Sequence, residues 1–464
     1  MIQSFKNIFS IPDLRKRVLY TLALLAVYRI GGHIPTPGID NAALLRLFES
    51  QAGSILGFVD LFAGGNFSRF TIFALGIMPY ITASIILQLL TVIWPYLEKV
   101  SKEGDAGRKK ITQYTRYGTI GLALVQSFGI ALFLEAQNQS GSGVIVPDPG
   151  FGFRLMTMIT LTTGTAFIMW LGEQISERGI GNGISLIIYA GIVVGFPNAV
   201  AGTIEDLRTG SIGFLSLLVL GAIMVAVVAA IVFVERAQRR IPIQYARRVV
   251  GRRVYGGAST YLPLRVNTGG VIPVIFASSM LAIPQTIGQV RWFQDVGWIQ
   301  ELMRQLNYSA PIYNLLYFTA IIFFCFFYVS IIFNPNDQAD NMKKYGGFIP
   351  GIRPGRKTAE YIDRILTRLT FGGAVYLGLI SLLPVFLISG LRLDMLPWGV
   401  GATLEQIVPT VINQGLNVKF YFGGTSLLIV VGVAMDTVQQ IESQLIMRHY
   451  EGFMKGARIR GRRG

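Results

Sequence analysis

Ile212-Gly-Phe-Leu-Ser-Leu-Leu-Val-Leu-Gly-Ala-Ile-Met-Val-Ala-Val-Val-Ala-Ala-Ile-Val-Phe-Val234 is an apolar run without a charged residue, and the basic stretch Glu235-Arg-Ala-Gln-Arg-Arg240 follows it directly. A transmembrane helix needs about 20 predominantly apolar residues. The run is therefore long enough to cross a bilayer. Its end is marked by the cluster of arginines.

The same alternation of apolar runs and polar loops recurs along the whole chain. Of 464 residues, 52% are hydrophobic and only 14% are charged, whereas about 25% of the residues of a soluble domain are charged. We therefore predict an all-α polytopic membrane protein with ten transmembrane helices. The predicted spans are 18–34, 71–93, 117–135, 153–171, 183–201, 212–234, 271–290, 312–333, 370–389 and 420–440.

Positive charge is distributed unevenly between the loops. Thirty-two of the 41 Lys and Arg residues fall in alternate loops, above all in 235–270, in 334–368 and in the tail 447–464. Lys and Arg mark the cytoplasmic side of a membrane protein, so both termini are predicted to be cytoplasmic. Attraction to anionic lipid explains scattered basic residues, but it explains the eight arginines of 235–270 less well.

Ten spans divide into two sets of five, with a break near 202–211. Because five is odd, the second set would have inverted orientation, and such inverted repeats build a pathway at the interface between the halves. We predict a pseudo-symmetric N-terminal half at 1–201, a C-terminal half at 202–446 and a basic cytoplasmic tail at 447–464. The inverted symmetry rests on the span count, since no residue-level repeat is visible.

A short apolar segment, Phe58-Val-Asp-Leu-Phe-Ala-Gly-Gly-Asn-Phe-Ser-Arg-Phe70, lies between the first two predicted spans. It is apolar enough to enter the membrane region and too short to cross it. Backbone of this kind survives at membrane depth only when it is buried in protein or lines a cavity. The pattern alone fits either an amphipathic external loop or a short re-entrant plug helix.

Residues with catalytic or metal-binding chemistry are sparse. His33 and His449 are far apart and Cys325 is the single cysteine, so we predict no metal site and no internal disulfide. The Gly-rich stretch 351–358 lacks the spacing of a phosphate loop. We predict no enzyme activity, no catalytic residue and no cofactor. Few acidic residues lie within the spans, which argues against an ion-coupled transporter.

Five long motifs, in matching order, are similar to those of the SecY family of bacterial protein-conducting channels. They are Phe73-Ala-Leu-Gly-Ile-Met-Pro-Tyr-Ile-Thr-Ala-Ser-Ile85 with Gln88-Leu-Leu-Thr91, Trp170-Leu-Gly-Glu-Gln-Ile-Ser-Glu-Arg-Gly-Ile-Gly-Asn-Gly-Ile-Ser185, Tyr261-Leu-Pro-Leu-Arg-Val-Asn267, Phe348-Ile-Pro-Gly-Ile-Arg-Pro-Gly355 and Tyr421-Phe-Gly-Gly-Thr-Ser426. The similarity runs from end to end. The external loop 390–419 is longer than this family pattern leads us to expect.

The resemblance implies a channel with an aliphatic constriction and a plug. The positions that match the pore ring are Ile81, Ile85, Ile184, Ile188, Ile275 and Ile429. The positions that match the plug are Phe58, Leu61, Phe62, Gly64, Gly65, Phe67 and Phe70. A ring of bulky apolar side chains dewets a constriction and blocks ions.

The resemblance also implies a lateral gate and docking loops. Thr91, Gln126 and Asn267 match polar positions of the gate through which signal sequences and membrane helices pass into lipid. Arg252 and Arg253 match ribosome-contacting positions, and Arg353 matches a position that couples the channel to a motor ATPase.

The implied function is translocation of unfolded secretory polypeptides across the bacterial plasma membrane and lateral release of membrane helices. The implied partners are SecE-type and SecG-type small subunits, the motor SecA, signal peptides, the lipid bilayer and the ribosome, whose RNA backbone the basic loops would contact. Two alternatives stay open at this point. One is a secondary transporter for a small solute, and the other is a ribosome platform that transports nothing.

Overall fold

The computed structural model describes residues 11–50, 60, 63–138, 144–210, 213–245, 248–250, 253–255, 259–288, 297–306, 310–390 and 424–456. This part of the chain is mostly helical and forms two compact units. The first comprises Met1–Ala201, Gln285–Gln300 and Val433–Gly464, and the second comprises Gly202–Pro284 and Glu301–Gly432.

Fourteen helices and five strands make up the described part of the chain, numbered here in chain order. The helices before the first strand are α1 Pro12–Gly31, α2 Asn41–Ser50, α3 Met78–Ile93, α4 Pro95–Lys102, α5 Asp105–Gln137, α6 Phe151–Arg178, α7 Gly183–Arg208 and α8 Phe214–Arg236. The remaining elements are β1 Gln238–Tyr245, β2 Arg248–Val250, β3 Arg253–Tyr255, β4 Ser259–Arg265, α9 Ile272–Gly288, α10 Gly297–Gln305, α11 Pro311–Ile332, α12 Pro335–Lys344, β5 Gly347–Phe348, α13 Arg356–Ser389 and α14 Gly424–Gly456.

Within the described ranges, six helices are long and apolar enough to cross a membrane, or seven if one bent pair counts as a span. The predicted spans 18–34, 271–290 and 420–440 coincide with α1, α9 and α14, which are not among these six. The chain is thus a multi-pass membrane protein. The count of ten spans stays a prediction.

The bent pair consists of α3 and α4, whose axes differ by 99°. The predicted span 71–93 begins as a helix only at Met78, because residues 72–77 form turns. It ends at Trp94, whose φ of −100° and ψ of 113° are extended. A residue that precedes proline is sterically kept out of the helical region, so Pro95 breaks the helix and starts a new one.

Close helix packing in the first unit depends on aromatic rings and glycine. Phe73 stacks between Tyr28 and Phe167 with ring centroids 5.8 and 6.0 Å apart. Gly164 of α6 has no room for a Cβ, because the Ile72 carbonyl lies against it. Small residues of this kind let helices approach closely in membranes.

Three polar ties connect the ends of helices in the first unit. The Arg154 guanidinium donates to Glu135 Oε2 over 2.9 and 2.6 Å, which joins the start of α6 to the end of α5. At the opposite end of α6, the N–H of Ile180 donates to Thr21 Oγ1 of α1 over 3.0 Å. The N–H of Gly181 donates to Gln440 Oε1 of α14 over 3.0 Å. The chain at each end of α6 is therefore fixed to neighbouring helices.

The prediction of an all-α fold is wrong for the two long basic loops. Strands β4, β1 and β5 form one antiparallel sheet in that order, which joins the loop 235–270 to the loop 334–368. Ile241 and Ile243 alternate with exposed residues along β1. They pack on Leu264, Met342, Ile349 and Ile362, and this cluster defines what we term the β platform. An apolar–polar alternation with period two is the signal for a half-buried strand, and it is present at 240–245.

The β platform should depend on Ile362, whose side chain is fully buried at its centre. An Ile-to-Ala change in a packed core costs about 2–5 kcal/mol. We therefore expect Ile362→Ala to accelerate trypsin cleavage within 235–270 and 334–368 in native membranes. Tyr345→Ala is the matched control, because Tyr345 in the same region is 78% exposed. Equal cleavage rates for the two variants would contradict the packing described here.

Candidate functional site

The six predicted pore-ring positions lie on four helices, with four positions in the first unit and two in the second. Ile81 and Ile85 are one turn apart on α3, and Ile184 and Ile188 are one turn apart on α7. Residues four apart share a helix face, so each pair presents a continuous aliphatic surface. All are buried except Ile184, which is half-buried beside Gly172 of α6. In the second unit, Ile275 of α9 is 5% exposed and Ile429 of α14 is fully buried.

The predicted plug does not continue as a helix from Gly64 to Phe70, where the chain forms turns and a bend. Gly64 and Gly65 have φ values of 71° and 76°, and Phe70 has a φ of 40°. Such left-handed backbone ends a helix and favours glycine. Three predicted plug residues, Phe58, Leu61 and Phe62, lie outside the described residues.

Asp60 organises these turns. Its Oδ1 accepts from the backbone N–H groups of Phe67 and Ser68, each over 2.9 Å, and its carbonyl accepts from the N–H of Gly65 over 3.0 Å. Burial raises the pKa of the Asp60 carboxyl, whereas the hydrogen bonds from Ser68 and Phe67 and the charge of Arg69 lower it. A carboxylate is a strong acceptor for backbone donors in a turn.

Asn66 ties the same segment to α1. Its Nδ2 donates to the Tyr28 hydroxyl over 3.1 Å and to the Ala63 carbonyl over 2.6 Å. Both side chains are almost fully buried, with 1% of Asn66 and 4% of Tyr28 exposed. The backbone carbonyl of Asn66 accepts from the N–H of Thr71 over 3.0 Å. Buried polar groups need such partners, so Asn66 locks the turn into one conformation.

A contact between two glycines seats the segment on α7. A Cβ at Gly64 would lie 2.6 Å from the Gly191 Cα, and a Cβ at Gly191 would lie 3.2 Å from the Gly64 Cα. Neither position therefore tolerates a side chain without movement of the backbone. Sequence reasoning missed this partner, although a glycine inside a predicted span is a signal for close backbone approach.

The predicted gate residues are divided between the units. Thr91 of α3 and Gln126 of α5 are half-buried in the first unit, and the Thr91 hydroxyl donates to the Gln88 carbonyl over 2.7 Å. Asn267 belongs to the second unit and is 4% exposed. Its Nδ2 donates to Glu235 Oε1 over 2.6 Å. Sequence reasoning missed Glu235, because it stands at the boundary between a span and a basic loop.

The predicted docking arginines belong to the loop regions of the second unit. Arg353 is exposed between β5 and α13, and its carbonyl accepts from the Thr358 hydroxyl over 2.9 Å. Arg253 pairs with Val250 in the hairpin of β2 and β3. Arg252 lies outside the described residues. Arg353 thus presents an exposed charge from a segment whose backbone is held by a hydrogen bond.

No group of three or more His, Cys, Asp or Glu side chains in the described ranges is placed to hold a metal ion. Cys325 is buried on α11 in the second unit. The His33 ring nitrogen Nδ1 lies 2.9 Å from the Arg29 carbonyl oxygen.

Comparison with known proteins gives a consistent result. The family model for SecY matches residues 71–438. The chain is 50% identical over 452 residues to the protein translocase subunit SecY of Escherichia coli strain K12, which covers 97% of this chain and 96% of that protein. It is 49% identical over 468 residues to the protein translocase subunit SecY of Streptomyces scabiei, which covers 98% of this chain and 100% of that protein.

Solved structures of similar fold include protein channels. One is a protein-conducting channel that superimposes with a TM-score of 0.62 at 20% identity, covering 96% of this chain and 94% of that chain. Another is Sec61 in the canine ribosome–channel complex from the endoplasmic reticulum, with a TM-score of 0.58 at 19% identity and the same coverage. At this level of identity, the likeness establishes the fold.

The contact between Gly64 and Gly191 leads to a testable expectation. Gly191→Ala places a methyl group against the Gly64 backbone, and overpacking of this kind costs about 1–3 kcal/mol. Amide hydrogen exchange of residues 63–71 should therefore accelerate by roughly 5- to 150-fold. Gly195→Ala on the same helix is the control, because a Cβ there has no atom within 4 Å. Equal exchange rates in the two variants would contradict the contact between Gly64 and α7.

Proposed function

This chain belongs to the SecY family, and we propose that it forms a protein-conducting channel which moves unfolded secretory polypeptides across the plasma membrane and releases transmembrane segments sideways into lipid. The observation that carries this proposal is the identity of about half of all residues with protein translocase subunits over nearly the whole chain. A secondary transporter for a small solute is not supported, because these relatives are protein translocase subunits.

The constriction of the proposed channel consists of the pore-ring isoleucines defined above. Four helices contribute them, with four of the positions in the first unit and two in the second. A narrow apolar ring excludes water and ions by dewetting. It offers no hydrogen bond to a particular sequence, and a chain of any composition can displace the side chains. Such a ring suits a channel for unfolded polypeptides.

The segment 58–70 would act as the plug that seals the resting channel on its external side. Its described contacts include hydrogen bonds that Asp60 accepts and Asn66 donates, the backbone contact at Gly191, and the burial of Phe67 and Phe70 in an apolar cluster. A typical intramolecular hydrogen bond contributes only about 0.5–1.5 kcal/mol. The hydrogen bonds would fix the geometry of the seal, and an entering polypeptide would also have to break the apolar contacts of Phe67 and Phe70.

Thr91, Gln126 and Asn267 would line the lateral gate. Hydrogen bonds between helices in membranes contribute about 0.6–2 kcal/mol each. A few such bonds can keep a gate closed and can be outcompeted by an apolar signal helix. This supports a gate in which the polar side chains at these positions determine how apolar a signal helix must be to open it.

Energy for transport would come from partners, since the chain lacks a phosphate loop. We infer that Arg252, Arg253 and Arg353 dock the ribosome or a SecA-type motor. Arginine grips carboxylates and phosphates through two parallel hydrogen bonds. SecE-type and SecG-type small subunits would complete the complex. The ribosome-bound state of the canine Sec61 relative supports the ribosomal partner.

The topology proposed with this function has ten spans in two inverted halves, at 1–201 and 202–446, and a basic tail at 447–464. Both termini would be cytoplasmic. The alternate placement of Lys and Arg supports this orientation. The β platform would then face the cytoplasm, where ribosomes and motors act.

Protease protection of a secretory precursor tests the function directly. In proteoliposomes with a SecE-type subunit, SecA and ATP, the precursor should become protected. Arg353→Glu should lower this protection at least about tenfold, because reversing a charge in a close ion contact costs several kcal/mol. Arg356→Glu makes the same charge change in the same loop, at a residue already paired with Glu360, and should retain protection.

Two other results of the protection assay would change this assignment. Equal loss in both variants would assign the effect to the charge of the loop and would withdraw the specific role of Arg353. Absence of protection with the unaltered chain, despite verified insertion and SecA binding, would contradict the channel and favour a platform that transports nothing.

A further inference from the structure

A carboxylate is buried where the apolar helix α8 meets the β platform. Glu235 stands in the last turn of α8 and is only 7% exposed. Burial of a carboxylate is costly unless hydrogen bonds compensate for the lost water. Such a residue in a membrane protein is retained for a function or for a defined structural partner.

One partner of Glu235 is the side chain of Asn267. Asn267 Nδ2 donates one hydrogen bond to Glu235 Oε1 over 2.6 Å and another to the Gly270 carbonyl over 3.2 Å. An amide nitrogen carries two hydrogens, so both donors of Asn267 are committed inside the second unit. A carboxylate and a carbonyl can only accept, which fixes the orientation of the amide. Asn267 can then meet a further partner only through its Oδ1, as an acceptor.

The backbone at Asn267 is held independently of this side-chain contact. The N–H of Val266 donates to the Ala237 carbonyl over 3.0 Å. On the other side, a Cβ at Gly373 of α13 would lie 2.6 Å from the Val266 carbonyl oxygen. The main chain is thus fixed between the end of α8 and α13. The side-chain rotamer of Asn267 is the remaining freedom, and the short hydrogen bond to Glu235 restricts it together with the longer one to the Gly270 carbonyl.

We propose that Glu235 is a positioning residue of the lateral gate, which presents Asn267 as a fixed acceptor and thereby sets how apolar a signal sequence must be to open the gate. This inference rests on the proposed function of the chain as a channel. When the Oδ1 acceptor of Asn267 is already fixed, the gate can close without a further loss of rotamer freedom in the Asn267 side chain. Without Glu235, Asn267 keeps only the longer hydrogen bond to the Gly270 carbonyl, so its side chain must be ordered each time the gate closes and the closed state becomes less stable.

The ratio of translocation between a weak and a strong signal sequence distinguishes this positioning role from a general structural role. Two matched secretory precursors are needed, one with a strong signal and one whose signal core is weakened by two Leu-to-Ser changes. Glu235→Ala should raise the ratio of weak-signal to strong-signal translocation by roughly two- to twelvefold, the effect of one side chain that must be ordered. Glu235→Gln keeps an acceptor oxygen and should restore a ratio close to that of the unaltered chain.

A double-mutant cycle tests whether Glu235 acts through Asn267. In an Asn267→Ala background, Glu235→Ala should not change the ratio further, since residues in one network are not additive. Glu235→Asp, which shortens the side chain by one methylene, serves as a second variant if the alanine protein accumulates poorly. It should give an intermediate ratio.

The assay uses proteoliposomes that contain the full complex, and the strong-signal precursor reports the amount of working channel. An unchanged ratio in Glu235→Ala and Glu235→Asp, or a ratio change that persists without Asn267, would overturn the positioning role. Equal loss of both precursors would also overturn it. Failure of the unaltered chain to translocate either precursor would instead contradict the proposed function.

Discussion

The structure depends on one constraint, which is that every backbone polar group removed from water must find a partner inside the protein. Helices meet it locally, and the buried turns at 63–72 meet it with side chains and with neighbouring backbone. Asp60 accepts from two N–H groups, and Asn66 bonds to α1. The N–H of Thr36 donates to the Phe70 carbonyl over 2.9 Å, and the N–H of Ile72 donates to the Ile34 carbonyl over 3.0 Å. A non-helical segment can thus remain buried in an apolar protein.

The need for hydrogen-bond partners applies in both units, at the proposed plug in the first and at the proposed gate in the second. In the first unit, polar contacts hold a segment that must be able to leave. In the second unit, Glu235 and Asn267 satisfy each other at the junction of a span with the β platform. In both arrangements a small number of hydrogen bonds, each of modest net strength, fixes the geometry, and the first also buries Phe67 and Phe70 in an apolar cluster. In the proposed mechanism, a closed state that is held in this way has a defined geometry, and an entering polypeptide would change it.

The sequence predicted the features that depend on local composition. Runs such as 183–201 and 212–234 became long apolar helices, because length and hydropathy are properties of one segment. The strand Gln238–Tyr245 was missed, since its partners lie at 259–265 and 347–348. The Gly64 contact with α7 and the burial of Glu235 are tertiary events. Neither follows from the residue alone, because a glycine or a glutamate at a helix end is most often exposed to solvent.

In the proposed channel, a polypeptide passes along the aliphatic positions of both units. A photocross-linker placed in turn at Ile188 and at Ile275, one position in each unit, tests it with an arrested secretory precursor. We expect both positions to cross-link to the same stretch of the precursor. The control position Leu379, which is 57% exposed on α13, should not cross-link. Failure at both isoleucines while the precursor is arrested and protected, or cross-linking at Leu379 alone, would contradict the account.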